Sequence, residues 1–206
     1  MVSWSRIALA VSLLASTPAR AKADWYFTPF FGWDFGANTT LIDLQYIGAN
    51  RTKVTFGGSA ALTFGIVGVE ADYAFIPQFF QDPDPEPGST VEPAPVLASH
   101  VQTLTGNVLL LAPLAWTRES LRPYVVGGLG WMDATVTYSE APVNVNCDMT
   151  ALNVGGGAIG LLSEGAGLRF DFRRVRGIGP TSPSCLAVSS PRVNFWRATV
   201  GLTLRY

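Results

Sequence analysis

Apolar and polar residues alternate with a period of two along most of this 206-residue chain. In the first such stretch, Trp25, Phe31 and Trp33 lie at odd positions, while small or polar residues such as Asp34 lie at even ones. Successive side chains of a β-strand point to opposite faces, so this pattern predicts strands with one apolar face and one polar face. Eight stretches follow it: 25–36, 54–64, 67–77, 99–112, 121–131, 150–162, 166–175 and 193–206.

The lengths of these stretches and of their connections predict an all-β fold, a closed antiparallel eight-stranded transmembrane β-barrel with up-and-down meander topology. Strands of about 10 residues cross a bilayer when they are tilted, and an open sheet edge in hydrocarbon leaves backbone groups unpaired at a cost of several kcal/mol each. Short connections alternate with long ones, as in outer-membrane barrels, so we expect both termini on the periplasmic side and long loops outside. The predicted long loops are 37–52, 78–98, 133–149 and 176–192.

The first 23 residues have the features of a secretory signal peptide. Arg6 gives a positive start, a nine-residue apolar run follows, and residues 21–23 form an A-x-A cleavage site. The apolar run is too short for a membrane-spanning helix, which needs about 20 residues. We therefore predict a cleaved signal peptide, 1–23, followed by an outer-membrane β-barrel domain, 24–206.

Charge and composition narrow the function classes. The chain has 14 basic and 15 acidic residues. The predicted leader removes three basic ones (Arg6, Arg20 and Lys22), so the mature domain is mildly acidic and has no basic patch for nucleic acid. Charged residues are only 14% and aromatic residues 12% of the chain, which suits a lipid-facing barrel. A soluble lipocalin-like barrel shares this composition but would turn its apolar faces inward around a ligand.

If the apolar faces meet lipid, nine charged residues point into the barrel. They are Asp34, Glu70, Asp72, Arg122, Arg169, Asp171, Arg173, Arg197 and Arg205. An eight-stranded barrel has an interior just wide enough for side chains to fill, and isolated buried charges are very costly. We therefore predict a salt-bridged interior. A polar pore or a gated plug is the alternative.

Four segments carry a resemblance to a known family. They are FGGS at 56–59 with GVE at 68–70, RPYVVGGLG at 122–130, GAGLRFD at 165–171 and the terminal LRY at 204–206. Together they resemble small outer-membrane β-barrel proteins related to the OmpA transmembrane domain. The resemblance implies that the aromatic last residue, Tyr206, is a C-terminal assembly signal read by the barrel-assembly machinery. The family includes adhesins, small-molecule channels, lipid-modifying enzymes and membrane anchors, so it leaves the function open.

The remaining candidate chemistry is sparse. Cys147 and Cys185 lie in two long loops on the same predicted side, and paired cysteines in an exported chain favour a disulfide over two free thiols. Ser99 and His100 suggest a nucleophilic pair, but adjacent strand residues face opposite ways, so we predict no catalysis. The sequence predicts no catalytic residues, no metal site and no cofactor.

Three functions remain, with a non-enzymatic structural or surface-interaction role as the first. Its partners would be the outer-membrane lipid and an unknown extracellular ligand bound by the loops. The runner-up is a narrow channel for ions or small hydrophobic molecules, suggested by the charged interior. The third, an enzyme acting on membrane lipid, is the least supported by the residues.

Overall fold

The protein is an eight-stranded antiparallel β-barrel, seen in a computed structural model that describes residues 23–39, 52–80, 96–113, 121–138, 144–180 and 192–206. The strands are β1 (Ala23–Thr39), β2 (Lys53–Phe64), β3 (Val67–Pro77), β4 (Val96–Leu111), β5 (Leu121–Tyr138), β6 (Asn144–Leu161), β7 (Ala166–Pro180) and β8 (Val193–Arg205). The predicted signal peptide lies outside the described residues except for Ala23, the first residue of β1. Within the described ranges, no helix is long and apolar enough to span a bilayer.

Each strand pairs with the next along the chain, and the first pairs with the last. The join between β1 and β8 runs from the pair Tyr26 and Arg205 to the pair Thr39 and Val193. Beyond it, the Trp25 amide donates to the Tyr206 carbonyl at 3.2 Å, and the Tyr206 amide donates back at 3.0 Å. The predicted closed meander is therefore confirmed.

The outer wall is apolar over most of its height. The alternation that predicted the strands also sets their faces, and large apolar side chains that a soluble protein would bury are about half exposed here. They include Trp25, Phe27, Phe31, Trp33, Val54, Phe56, Val69, Leu104, Val108, Leu110, Val125, Leu129, Val154, Phe170, Phe172 and Leu202. A lipocalin-like barrel would have the opposite arrangement. The wall thus has the surface that a hydrocarbon environment requires.

The two ends of the barrel differ. We call the end with the β2–β3 and β6–β7 turns the turn end, and the opposite end the loop end. Gly65 has a φ of +62°, a conformation that favours glycine, and makes the β2–β3 turn. The chain's described termini, Ala23 and Tyr206, also lie at the turn end, as predicted.

The predicted loop 133–149 is wrong. Strand β5 continues to Tyr138 and β6 begins at Asn144, with the two paired along this whole length. The reason is that the alternation inverts near the loop end: Met132, Ala134 and Val136 point inward and are buried, whereas polar residues point outward. The rule that apolar residues point outward fails where the barrel extends beyond the hydrocarbon core of the membrane. Strand β7 likewise continues to Pro180, into the predicted loop 176–192. Strand β1 reaches Thr39 and β4 begins at Val96, so the predicted loops 37–52 and 78–98 are also too long. The stretches 40–51, 81–95 and 181–191 of these loops lie outside the described residues.

The interior is divided into layers. A charged layer occupies the middle, and a small apolar cluster lies nearer the turn end around Leu109, Tyr124 and Ile159. A larger apolar cluster fills the loop end. Its members are Ile76, Phe79, Phe80, Val101, Met132, Ala134, Val136, Cys147, Met149, Ala151, Val175, Val193 and Phe195.

Candidate functional site: the charged interior

Ion pairs cross the full width of the barrel. Strands β3 and β7 are four apart in a closed ring of eight, so they face each other across the interior. Arg173 on β7 reaches Glu70 on β3, with 2.9 Å from Nη2 to Oε1, and lies 3.6 Å from Asp72. Arg169, one inward position nearer the turn end than Asp171, also pairs with Glu70. The bore is therefore spanned by side chains at this level.

The middle layer is balanced in charge. Arg169 and Arg173 both bind Asp171 on their own strand, at 2.7 and 2.8 Å. Arg197 on β8 pairs with Asp72 and lies over the Phe30 ring, 5.4 Å from its centroid. Three guanidinium groups thus meet three carboxylates: Arg169, Arg173, Arg197, Glu70, Asp72 and Asp171. Pairing of this kind is what makes buried charge tolerable, and arginine's planar fork suits several acceptors at once.

Neutral polar side chains complete this layer. The Arg169 Nε donates to the Tyr124 hydroxyl at 2.7 Å, and its Nη1 donates to the Ser59 hydroxyl at 3.1 Å. Asn107 donates to the Glu70 carboxylate at 3.1 Å, and Asn153 donates to Asn107. None of these four residues was predicted to have a role. The signal for them was their position on the same strand faces as the charges.

Inward-facing glycines make room for the large side chains. A Cβ on Gly155 would lie 2.9 Å from the Arg173 Cγ, and one on Gly157 would lie 2.5 Å from the Tyr124 hydroxyl oxygen. Both glycines are on β6, next to β7. Because they have no side chain, the interior is wider at this level, where Arg173 and Tyr124 lie. Glycine at these two positions therefore leaves room both for the interior side chains and for the backbone of β7.

Two of the predicted interior arginines have partners that the sequence did not suggest. Arg122 is buried near the turn end, but it donates to the Tyr26 hydroxyl at 3.1 Å and to the Gly65 carbonyl at 2.7 Å, rather than to a carboxylate. Arg205 is only half-buried and pairs with Asp24 at 3.1 Å. Asp24 was missed because it precedes the first predicted stretch, although it shares the inward parity of that stretch.

Asp34 is buried, as predicted, and lies toward the loop end. Its register partners are Lys53 on β2 and Arg197 on β8, so a positive residue flanks it on each side. Lys53 is itself buried, with 7% of its surface exposed. Lys53 was not predicted to lie inside, because the predicted strand began one residue later, at Val54.

The loop-end cluster closes the interior above the charged layer. Just after β3, Phe79 and Phe80 turn inward and are buried, and the Phe79 ring packs against Phe195 at 5.5 Å. The segment is fastened by two bonds to Ser99: the Gln78 amide donates to its carbonyl and the Phe80 amide to its hydroxyl. This cluster was not predicted, because Phe79 and Phe80 fell in a predicted loop and its members within the predicted strands were given no interior role.

The disfavoured Ser99–His100 pair is not assembled. Ser99 points inward and binds the Phe80 amide, whereas His100 points outward and lies against the Phe75 ring, at 5.5 Å between centroids. In the described part of the chain, no group of three or more potential metal-binding side chains comes together. Cys147 is buried in the loop-end cluster, and Cys185 lies outside the described residues, so the disulfide between them stays a prediction.

A closed barrel with a lipid-compatible outer wall and an interior crossed by ion pairs defines a class: small transmembrane β-barrels of the bacterial outer membrane. The sequence matches the outer membrane protein β-barrel domain family over residues 7–203. The chain belongs to this family. A comparison with curated protein sequences finds no match.

Solved structures share the fold at low sequence identity. Neisserial surface protein A is similar with a TM-score of 0.58 and 12% identity, covering 87% of this chain and 97% of that one. The N-terminal β-barrel domain of Pseudomonas aeruginosa OprF has a TM-score of 0.52 and 14% identity, covering 89% and 97%. Ail, the attachment invasion locus protein of Yersinia pestis, solved with the heparin analogue sucrose octasulfate, has a TM-score of 0.51 and 12% identity, covering 89% and 98%. At these identities the likeness shows the fold alone.

Proposed function

We propose that this protein is a non-conducting, non-enzymatic surface barrel, in which the strands serve as a membrane anchor and the loop end makes the contacts with the surroundings. The observation that carries the proposal is the set of ion pairs across the bore. Arg169 and Arg173 reach from β7 to Glu70 on the opposite strand, and all three side chains are buried. A solute would have to break these pairs to pass.

The energetic cost of opening such a path supports the proposal. Removing one partner of a buried ion pair costs about 3–5 kcal/mol, and a path through this layer would separate several pairs at once. The loop-end cluster adds a second obstruction, because its aromatic rings fill the space above the charges. The charged layer and the loop-end cluster both block the interior, and this favours a permanently closed barrel over a gated channel.

Current measurements test this proposal. We expect the purified protein to show no steady conductance in planar bilayers at any moderate voltage. The double variant F79A/F80A should also stay closed, because it opens the loop-end cluster and leaves the charged layer in place. Discrete current steps from the unmodified protein, reproducible across preparations, would contradict the proposal.

A second candidate function is a binding site for a small hydrophobic molecule at the loop end. The buried apolar cluster, with its two methionines Met132 and Met149, favours it, since methionine adapts to varied apolar partners. An environment-sensitive apolar dye distinguishes the two functions. Saturable uptake by the native protein that F79A/F80A increases would support a chamber, and uptake in neither protein would leave the filled barrel alone.

We further propose that the loop segments lie on the cell exterior and bind the predicted extracellular ligand. Replacing residues 82–94 with a short Gly-Ser linker should leave heat-modifiable gel migration, a sign of a folded barrel, unchanged. The same variant should lose adherence when intact cells are compared. Equal adherence of both strains would count against a role for this segment. During biogenesis we assign Tyr206 to recognition by the barrel-assembly machinery.

A further inference from the structure

Two arginines of β7 point outward on a strand whose preceding outward residues are apolar. On β7 the outward positions Leu168, Phe170 and Phe172 are apolar, and the next two are Arg174 and Arg176, both exposed. An arginine on the lipid face costs about 2–4 kcal/mol at the bilayer midplane but only about 0–1 kcal/mol near the interface. The energetic cost of Arg174 and Arg176 therefore depends on their depth in the membrane.

Both arginines lie at the loop-side edge of the apolar band. Arg174 is eight residues beyond the start of β7 at Ala166, which at about 3.3 Å per residue and a tilt of about 40° is roughly 20 Å up the wall, against a band roughly 25 Å tall. The alternation also inverts here, because Val175 between them points inward and is buried. The guanidinium groups thus lie at the depth of lipid headgroups, toward which long side chains extend.

An aromatic platform holds Arg174 in place. Its guanidinium carbon lies 5.1 Å from the centroid of the Trp196 ring, its cross-strand partner on β8. Trp196 stacks on Phe172 at 5.0 Å, and Phe172 in turn lies 6.0 Å from Phe35 on β1. Aromatic residues concentrate at membrane–water interfaces. The platform thus holds one guanidinium group at the level of the Trp196 ring.

The described residues provide no ion-pair partner for this positive charge. Among the residues that the structure describes, none forms a salt bridge with Arg174 or Arg176, whose register partners on β6 are Val154 and Leu152. This contrasts with the interior, where three guanidinium groups are matched by three carboxylates. Guanidinium groups bind phosphate through paired N–H donors, and charge-assisted bonds of this kind are stronger than neutral ones.

We infer that Arg174 and Arg176, with Trp196, form a binding site for the phosphate groups of a phosphorylated glycolipid in the outer leaflet, of the lipid A class. The phosphates would meet the guanidinium groups, and the acyl chains would lie along the Phe172 and Phe35 rings below them. The lipid, rather than a soluble anion, is favoured because the platform continues directly into the apolar wall. The cellular location of the site rests on the proposed outward orientation of the loop end, whereas the binding itself does not.

Native mass spectrometry of the refolded full-length protein in detergent micelles tests the site. The probes are bisphosphorylated hexa-acyl lipid A and the same lipid after removal of its phosphates. We expect the protein to bind the phosphorylated lipid about 25-fold more tightly, since each of the two arginines should contribute about fivefold. The variant R174Q/R176Q should lose most of that preference, by about fivefold for each arginine, given the usual contribution of a basic residue near an anionic surface.

Three controls make the test decisive. R174K/R176K keeps the charge and should retain much of the preference, and E164Q, which changes an exposed charge at the turn end, should bind as the unmodified protein does. Heat-modifiable gel migration reports that each variant is folded. Equal binding of the two lipids, or unchanged binding by R174Q/R176Q, overturns the inference.

The source of the phosphate is decided by competition. Displacement of the lipid by millimolar inorganic phosphate would show a site for the anion alone and would overturn the assignment to a membrane lipid. Orientation is checked separately, by labelling a cysteine introduced at a loop-end position in intact cells. A loop end that faces the periplasm would overturn the proposed function yet leave the lipid preference in micelles unchanged, so the two failures are distinguishable.

Discussion

Replacing Arg173 with methionine removes the centre of the charged layer while keeping a long, unbranched side chain. Arg173 is 1% exposed and lies within ion-pair distance of Glu70, Asp171 and Asp72, at 2.9, 2.8 and 3.6 Å. The layer then holds three carboxylates and two guanidinium groups, which leaves one buried negative charge without a partner. We expect the free energy of unfolding to fall by about 3–5 kcal/mol, the usual cost of breaking one side of a buried pair.

The assay is equilibrium denaturation in lipid vesicles, followed by tryptophan fluorescence and heat-modifiable gel migration. The double variant R173M/E70Q restores the charge balance, so it should be more stable than R173M alone, with a coupling energy of about 0.5–3 kcal/mol. The matched control is R205M. It breaks the pair with Asp24 at the turn end, where the side chains are 29% and 18% exposed, and should cost about 0–1 kcal/mol.

The comparison of R173M with R205M decides the matter. A loss in R173M no larger than that in R205M would refute the reasoning, because it would mean that the charged layer is wet and its carboxylates are solvated. A double variant that is less stable than R173M by the full effect of E70Q alone would refute the pairing between Arg173 and Glu70.

Three further predictions address other parts of the barrel. Gly157→Ala places a methyl group against the Phe170 carbonyl oxygen and an interior tyrosine and should destabilise the fold by about 1–3 kcal/mol. Gly58→Ala, whose nearest neighbour is a carbonyl oxygen at 3.8 Å, should change stability by less than about 0.5 kcal/mol, and equal denaturation midpoints would contradict this. A disulfide between Cys147 and Cys185 should speed migration on non-reducing gels, and its reduction should cost about 2–4 kcal/mol; labelling of two thiols in the unreduced folded protein would exclude it. Phe195→Ala should lower the free energy of unfolding by about 3–5 kcal/mol through the cavity it leaves, and a loss below about 1 kcal/mol would contradict tight packing of the loop-end cluster.

The strands could be read from the sequence where one physical rule held along their whole length. Strand β3 begins and ends at the predicted residues, Val67 and Pro77, because its alternation is unbroken and a glycine turn precedes it. Strand β5 extends seven residues past its predicted end at Trp131. In this part of β5 the outer wall is polar and the interior is apolar. The alternation still has a period of two, but here the apolar residues point inward.

The interior could be predicted as a set of residues but not as a set of pairs. Parity along each strand places a charge inside, whereas its partner depends on the stagger between strands that are distant in sequence. Arg173 meets Glu70 because β3 and β7 are opposite and their inward residues have equal height, and neither fact is local. Arg122 shows the limit: its acceptors are a tyrosine hydroxyl and a backbone carbonyl, which no charge pattern indicates.

The join between the first and last strands constrains how this molecule is built. Strand β1 is made before the other seven strands, yet one of its two neighbours is β8, which is made after them. Until both strands are present, the growing sheet has two unpaired edges, whose amides and carbonyls cannot enter hydrocarbon without hydrogen-bond partners. The polypeptide therefore has to be delivered whole, with those edges shielded by another protein until they meet. A chain that stops short of Val193 would keep both edges for good, and we expect it to be degraded rather than to persist as a seven-stranded ring.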